Sequence, residues 1–346
     1  MENFDKYALK SGTILHGNVH EYVITDLLAG DSQGFTYRVR TVPPEGRQIR
    51  KSKLAEELVI REHFMTLCSE RADDGLTVVT PEDIGPTVDD CLDLFTTSSN
   101  ERARVSKGHK SIIDVIECFA TNGTYYYVVD YLNGETLEEY VRQRGPLSIR
   151  SAIRLLSPIF EATDHIHRFH SLHTDITPRH IRFTSDTPGA PKRPVLFSLY
   201  NSIHFSEDGR KPWLVPLTPC ATGYAAPEQY DHLEQFTPQT DVYGLAATLV
   251  FCITGNRLPD SRKLDEKTLR DLLPPALPEN YVSAIVHALN PEILSRTVSI
   301  VDFVDELSAN PGDVKGTPSD DSDGGMNGSR VGGFRMAMMI ALSLIH

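Results

Sequence analysis

Two neighbouring strings decide how this chain is read: ATGYAAPEQY, Ala221 to Tyr230, and TDVYGLAATLVFCITGNRLP, Thr240 to Pro259. The second follows Gln239 and carries apolar residues through Leu245, Leu249 and Ile253 to Gly255. That spacing predicts a helix, with Gly255 as its natural C-terminal cap because glycine reaches the left-handed backbone without a steric penalty. Outward from it, Ile149, Ala152, Leu155, Leu156, Ile159, Ala162 and Ile166 recur at helical spacing after Ser148. They predict a long helix with one buried stripe. Val282 to Leu289 and Ile300 to Leu307 predict two more. The first third reads as strands instead. Glu21 to Leu27 and Phe35 to Arg40 flank a turn-rich loop, and Glu57 to Glu62 is a third β-rich run. Ile112 to Phe119 and Tyr125 to Leu132 flank Asn122-Gly123, a strong hairpin turn. A β-rich front and a helical back predict an α+β chain in two lobes.

Composition narrows the classes. The chain has 346 residues, of which 40% are hydrophobic and 23% charged, ordinary for a globule with a real core. Its net charge of −13 argues against a general nucleic-acid binder, which would show a basic face. Five cysteines, Cys68, Cys91, Cys118, Cys220 and Cys252, have no short C-x-x-C spacing, so neither a zinc site nor a disulfide framework is signalled. His165, His167, His170 and His173 read as ordinary helix and loop histidines, and Asp320, Asp321 and Asp323 lack the spacing of a calcium loop. The N-terminus MENFDKYALK has no apolar signal-peptide core.

Residues 309–330 are rich in Gly, Ser, Asp and Pro with little to bury, and read as a flexible linker. After Arg330 and Arg335 comes the apolar run MAMMIALSLI, Met336 to Ile345. It is too short to span a bilayer, which needs roughly 20 residues. It reads as the possible start of a truncated transmembrane helix (331–346), with the arginines holding the preceding domain on the cytoplasmic side.

The order of these elements and several strings resemble the protein kinases, and most closely the bacterial membrane-anchored Ser/Thr kinases. Residues 11–37, SGTILHGNVHEYVITDLLAGDSQGFTY, look like their glycine-rich loop, and VIREHF, Val59 to Phe64, like the strand bearing the nucleotide-binding lysine. NGTYYYVVDYLNGETL, Asn122 to Leu137, resembles the hairpin entering the hinge, which places Asp130 and Leu132 at the nucleotide. HTDITPRHI, His173 to Ile181, falls on the catalytic loop, PVLFSLYNS on the D-F-G segment, and the two opening strings on the end of the activation segment and the helix after it. Thr218 and Thr222 stand there as possible phosphorylation sites. The likeness covers residues 8–308, with an N-lobe of about 8–131 and a C-lobe of about 134–308.

Phosphoryl transfer needs cations on the phosphates and a base at the acceptor hydroxyl. Against the family pattern, Ala29 and Asp31 occupy the first two glycine positions and only Gly34 matches. Arg61 replaces the strand lysine, whose partner glutamate is expected at Asn100 or Glu101. Asp175 survives at the base position, although a tight loop alone would explain it. Thr177 replaces the lysine that contacts the γ-phosphate, and His180 the asparagine that holds magnesium. Ser198-Leu199-Tyr200 replaces D-F-G, losing the main magnesium carboxylate. Val59 stands above the adenine slot and Arg182 below it. The structural positions persist: Glu228 and Arg296 match a buried ion pair, Asp241 the aspartate that anchors the catalytic loop, and His173 with Leu199 the stack linking the lobes. The resemblance therefore implies a pseudokinase, a module that binds a protein partner (kinase, substrate or regulator), with no cofactor expected. The alternative is a divergent ATP- and Mg²⁺-dependent kinase, using Asp175 as base, Arg61 for the lysine, and Arg38, Arg40 or Arg179 on the phosphates.

Overall fold

In a computed structural model of the chain, the residues described are 4–42, 57–82, 85–184, 192–198, 202–204, 221–230 and 236–309. They divide into two compact units, one ending at Asn133 and the other beginning at Gly134.

The first unit contains β1 (Ile14–His16), β2 (Glu21–Asp31), β3 (Gly34–Val42), β4 (Glu57–His63), a small β5–β6 hairpin (Glu70–Arg71 and Val78–Val79), helix α1 (Gly85–Ser106), β7 (Val115–Thr121) and β8 (Thr124–Asp130). Six of these strands form one antiparallel sheet in the order β1-β2-β3-β4-β8-β7. Strand alternation puts Phe35, Tyr37 and Val39 on the same face as Leu58 and Ile60, where they bury against Tyr22, Ile24, Phe119, Tyr126 and Val128. Asn122 and Gly123 both adopt left-handed backbone, φ 52° and 69°, as a tight hairpin turn requires.

Three details differ from the sequence expectation. The β2–β3 pairing runs on to Asp31 and Gly34, so the turn-rich loop shrinks to a tight turn at Ser32-Gln33. Strand β7 starts at Val115 rather than Ile112. A helix of 22 residues, α1, occupies a stretch with few apolar residues at helical spacing. Its buried face is Phe95, Ser99, Arg102, Val105 and Ser106, so three of its five residues are polar and the apolar periodicity is broken. The polar groups are accommodated locally: the Ser99 hydroxyl donates to the Phe95 carbonyl, and the Ser106 hydroxyl accepts the Val115 N–H.

The second unit contains α2 (Leu137–Arg144), α3 (Ile149–Arg168), β9 (Ser171–Leu172), β10 (Ile181–Thr184), β11 (Arg193–Leu196), β12 (Ile203–His204), α4 (Pro238–Thr254), α5 (Glu266–Leu272), α6 (Glu279–Ala288) and α7 (Ile300–Ser308). Helix α3 is capped by Ser148, whose hydroxyl accepts the Ser151 N–H. Every residue of α4 from Thr240 to Ile253 is buried, as a helix apolar on all sides demands. It ends at Gly255 in the left-handed conformation, φ 71°. Helices α2 and α5 lie outside the predicted set, yet both carry legible caps. Thr136 and Glu139 form a reciprocal capping box, and Asp265 accepts the Thr268 N–H.

Among the described residues no helix is long and apolar enough to cross a membrane. The expected linker from residue 310, the apolar run Met336–Ile345, Leu199-Tyr200 of the D-F-G position, Thr218 and Cys220 lie outside the described residues.

Candidate functional site

The loop after β9 is built on one buried carboxylate. Asp241, in the first turn of α4, accepts the His173 N–H at 2.8 Å and the Thr174 N–H at 2.7 Å, and the His167 Nε2–H at 2.8 Å. Burial raises the carboxyl's pKa, but His167 and then the loop's N–H groups outweigh it, and the net shift is downward. Thr174 is held at φ 60°, a conformation unfavourable for a β-branched residue, by its bond to Asp241. His167, which the sequence reading leaves as an ordinary helix histidine, is thus an anchor. Nothing in its spacing along α3 could reveal a partner 74 residues away.

Two histidines of the loop take opposite roles. His173 is fully buried; its Nε2–H donates to the Phe197 carbonyl at 3.1 Å while its Nδ1 accepts the Asp175 N–H at 3.2 Å. One nitrogen donating and one accepting defines the neutral ring, and burial accordingly pushes its pKa down. His180 turns its Nδ1 toward Asp175, 2.9 Å from the carbonyl and 3.2 Å from the carboxylate. Burial lowers its pKa, but the carboxylate prevails and the net shift is upward. Asp175 and His180, which the resemblance sets at the base and metal-asparagine positions, are therefore paired with each other. Thr177 is buried, a short hydroxyl where a long cation was expected. Ser198 follows β11 at φ 63°, just beyond the Phe197 N–H to His180 carbonyl bond of 2.9 Å. Arg182, on β10, stacks its guanidinium over Phe197 at 5.5 Å.

This pairing has a pH signature. A histidine whose folded pKa is raised stabilises fully below its unfolded value of about 6.5 and loses that contribution as pH rises through the folded value. His180→Asn is therefore expected to melt below the wild type in mildly acidic buffer, and the two melting curves should converge as pH rises past the raised His180 value. A constant gap from pH 5 to 9 would show that the pair does not titrate.

The second unit is also held by Arg296, which donates to both Glu228 oxygens, at 2.8 and 3.0 Å. Its remaining donors reach the carbonyls of Asn290, Gln239 and Pro291. Thr240 donates to Glu228 Oε1 at 2.9 Å. Both partners are buried.

In the first unit, Arg61 projects from β4 and is buried. Its Nη2 donates to both oxygens of Asp31, at 2.7 and 2.9 Å, and its Nη1 to the Thr36 hydroxyl at 3.1 Å. The expected partner on α1 is corrected. Asn100 is exposed and accepts the Tyr125 hydroxyl, and Glu101 pairs with Arg104 of its own helix. Strand register fixes what lies beside Arg61 instead: it is opposite Tyr127, whose ring stacks on Phe95. Gly34, at φ 149°, must be glycine, since an added Cβ would stand 2.0 Å from the Glu62 carbonyl oxygen. Val59 is half-buried on β4, Asp130 exposed at the end of β8, and Leu132 half-buried beyond it. The arginines expected to meet phosphate in the alternative reading have acidic or phenolic partners. Arg38 donates to the Tyr131 hydroxyl and lies 3.8 Å from Asp26, Arg40 pairs with Glu57, and Arg179 with Glu138.

The sequence reading missed Glu62 altogether. It is fully buried and accepts Arg71 at 2.8 and 2.7 Å, and the hydroxyls of Tyr37 and Tyr126 at 2.9 and 2.8 Å. The only available signal was its place in the alternation, on the core face between Ile60 and Phe64. Among the described residues no group of three or more His, Cys, Asp or Glu side chains is arranged to hold a metal ion.

The family described as protein kinase domain matches residues 98–274. The chain is 28% identical over 153 residues to the probable serine/threonine-protein kinase zyg-1 of Caenorhabditis elegans, covering 44% of this chain and 21% of that protein. It is 25% identical over 229 residues to the serine/threonine-protein kinase PknK of Mycobacterium tuberculosis, covering 63% of this chain and 20% of that one. The matched regions thus span about a fifth of those relatives. A solved structure titled PpkA-294 apo form superposes with a TM-score of 0.62 at 22% identity, over 87% of this chain and 99% of that one, which shows the fold.

Proposed function

Because this chain belongs to the protein kinase domain family, we propose that it is a kinase-fold signalling protein whose output is binding and regulation, with phosphoryl transfer lost. The observation that carries this reading is the pairing of Asp175 with His180 at 3.2 Å. A base must be free to accept the acceptor's proton, and the metal position beside it must offer oxygen. Here the first is held by a basic ring and the second is that ring. The family's ATP and Mg²⁺ do not fit this donor set: imidazole suits softer ions, and Ser198 brings no charge. What the fold retains is its scaffold, Asp241 on the loop backbone and Arg296 on Glu228. A scaffold kept rigid while its charges are neutralised internally suits a surface that a protein partner reads. A membrane tether through Met336–Ile345 belongs to the same proposal, and flotation of the full chain with liposomes, lost on deletion of that run, tests it.

Transfer is tested with labelled ATP and Mg²⁺ or Mn²⁺, comparing the wild type with Asp175→Asn. Both are expected at background. Incorporation by the wild type that Asp175→Asn abolishes would establish the divergent kinase instead. A thermal melt adds the binding arm: a ligand at 100 times its Kd stabilises by about 2.7 kcal/mol, and no shift is expected with ATP, with or without metal.

A further inference from the structure

The β2–β3 turn delivers a carboxylate to the one cation that stands where the family holds its phosphate-binding lysine. The Arg61 side chain is 6% exposed and that of Asp31 48%, so the guanidinium is inside and the carboxylate comes to it from the solvent side. Both Asp31 oxygens face Nη2, at 2.7 and 2.9 Å. A guanidinium grips carboxylate and phosphate through the same short, charge-assisted N–H···O contacts. Asp31 therefore presents to Arg61 the pair of oxygens that a phosphate would.

The delivery is built into the backbone. Asp31 is opposite Gly34, Gly34 opposite His63, and Thr36 opposite Arg61. The turn is tied down on its far side, where Phe64 N–H donates to the Gln33 carbonyl at 3.0 Å and Thr66 N–H to the Ser32 carbonyl at 3.1 Å. Gln33 N–H in turn donates to Asp31 Oδ1 at 2.8 Å. Burial and then the Arg61 charge push the pKa of neighbouring His63 down to about 4, so it adds no second cation near neutral pH.

We propose that Asp31 is a built-in surrogate anion, and that Arg61 with Thr36 forms a site for a phosphate-bearing ligand that opens when Asp31 is withdrawn. The inference rests on the reading that this site no longer serves transfer, and it adds that the site is shut by occupancy rather than by loss of its cation. Inorganic tripolyphosphate, without metal, is the probe, because it needs no adenine slot. Titrated calorimetrically into the full chain, it is expected to give no saturable binding to the wild type at millimolar concentration. Asp31→Asn should bind at least ~10-fold tighter, and the gain should vanish in Asp31→Asn/Arg61→Gln. Asparagine keeps the shape of the turn and an acceptor for Gln33; Asp31→Ser is the second variant, with cooperative melting as the check on folding. In the wild type, the Arg61 side-chain N–H resonances, assigned through Arg61→Lys, should stay in place as the probe is added. No gain in either variant, a gain that survives loss of Arg61, or wild-type resonances that move at micromolar probe would each overturn the proposal. None of these outcomes touches the reading above, which only phosphate incorporation overturns.

Discussion

Glu228→Ala is expected to lower stability by about 3–5 kcal/mol, the usual consequence of leaving one member of a buried ion pair alone. For a unit of this size that corresponds to a fall in Tm of roughly 10 °C. The reason is geometric. Arg296 and Glu228 have side chains 0% and 2% exposed, so water cannot replace the lost carboxylate. Arg296 would keep its three carbonyl acceptors but no opposite charge, and Thr240 would lose its acceptor. The double variant Glu228→Met/Arg296→Met should recover much of the loss, because apolar residues of similar volume remove both desolvated charges together. Thermal melts of the four proteins give the coupling. A single variant within ~1 kcal/mol of the wild type would mean that the site relaxes and admits water.

The second large effect lies in the first unit. Glu62→Ala removes an acceptor that serves Arg71, Tyr37 and Tyr126 in the middle of the sheet's core. Loss of about 3–5 kcal/mol is expected again, this time with the N-terminal segment loosened. Tyr37 also accepts the Leu9 N–H at 2.9 Å, and Arg71 donates to the Tyr7 carbonyl at 2.9 Å. Burial first, and the Glu62 carboxylate after it, push both tyrosine pKa values well above the phenol's usual value of 10. In the wild type these two phenols should therefore stay un-ionised until the unit unfolds in alkali, read from absorbance at 295 nm. Ionisation of Tyr37 or Tyr126 ahead of unfolding would show that the cluster is more open than its geometry.

Much of the fold was legible because its signals are local. The stripe of α3, the cap at Gly255 and the turn at Asn122-Gly123 each depend on residues within a few positions of one another, where periodicity and backbone preference act. Helix α1 was not legible for the converse reason. Ser99, Arg102 and Ser106 are buried because the sheet's β7 and β8 pack on that face of the helix, so a polar residue there carries no sign of its burial. The candidate site divides the same way. That Arg61, Thr177, His180 and Ser198 depart from the family's chemistry is written in their identities. Where their charges go is not.

By itself, the sequence determined the class of fold, the positions of helices α3, α4, α6 and α7 and the residue types at each place where phosphate or metal would be handled. Only the tertiary structure decided the pairing: Asp31 with Arg61, Asp175 with His180, Glu62 with Arg71, and His167 with Asp241. Partners as far as 74 residues apart meet because strand register and helix packing bring them together. A charge gains or loses its function according to which opposite charge lies within a few ångströms, and no count along the chain contains that distance.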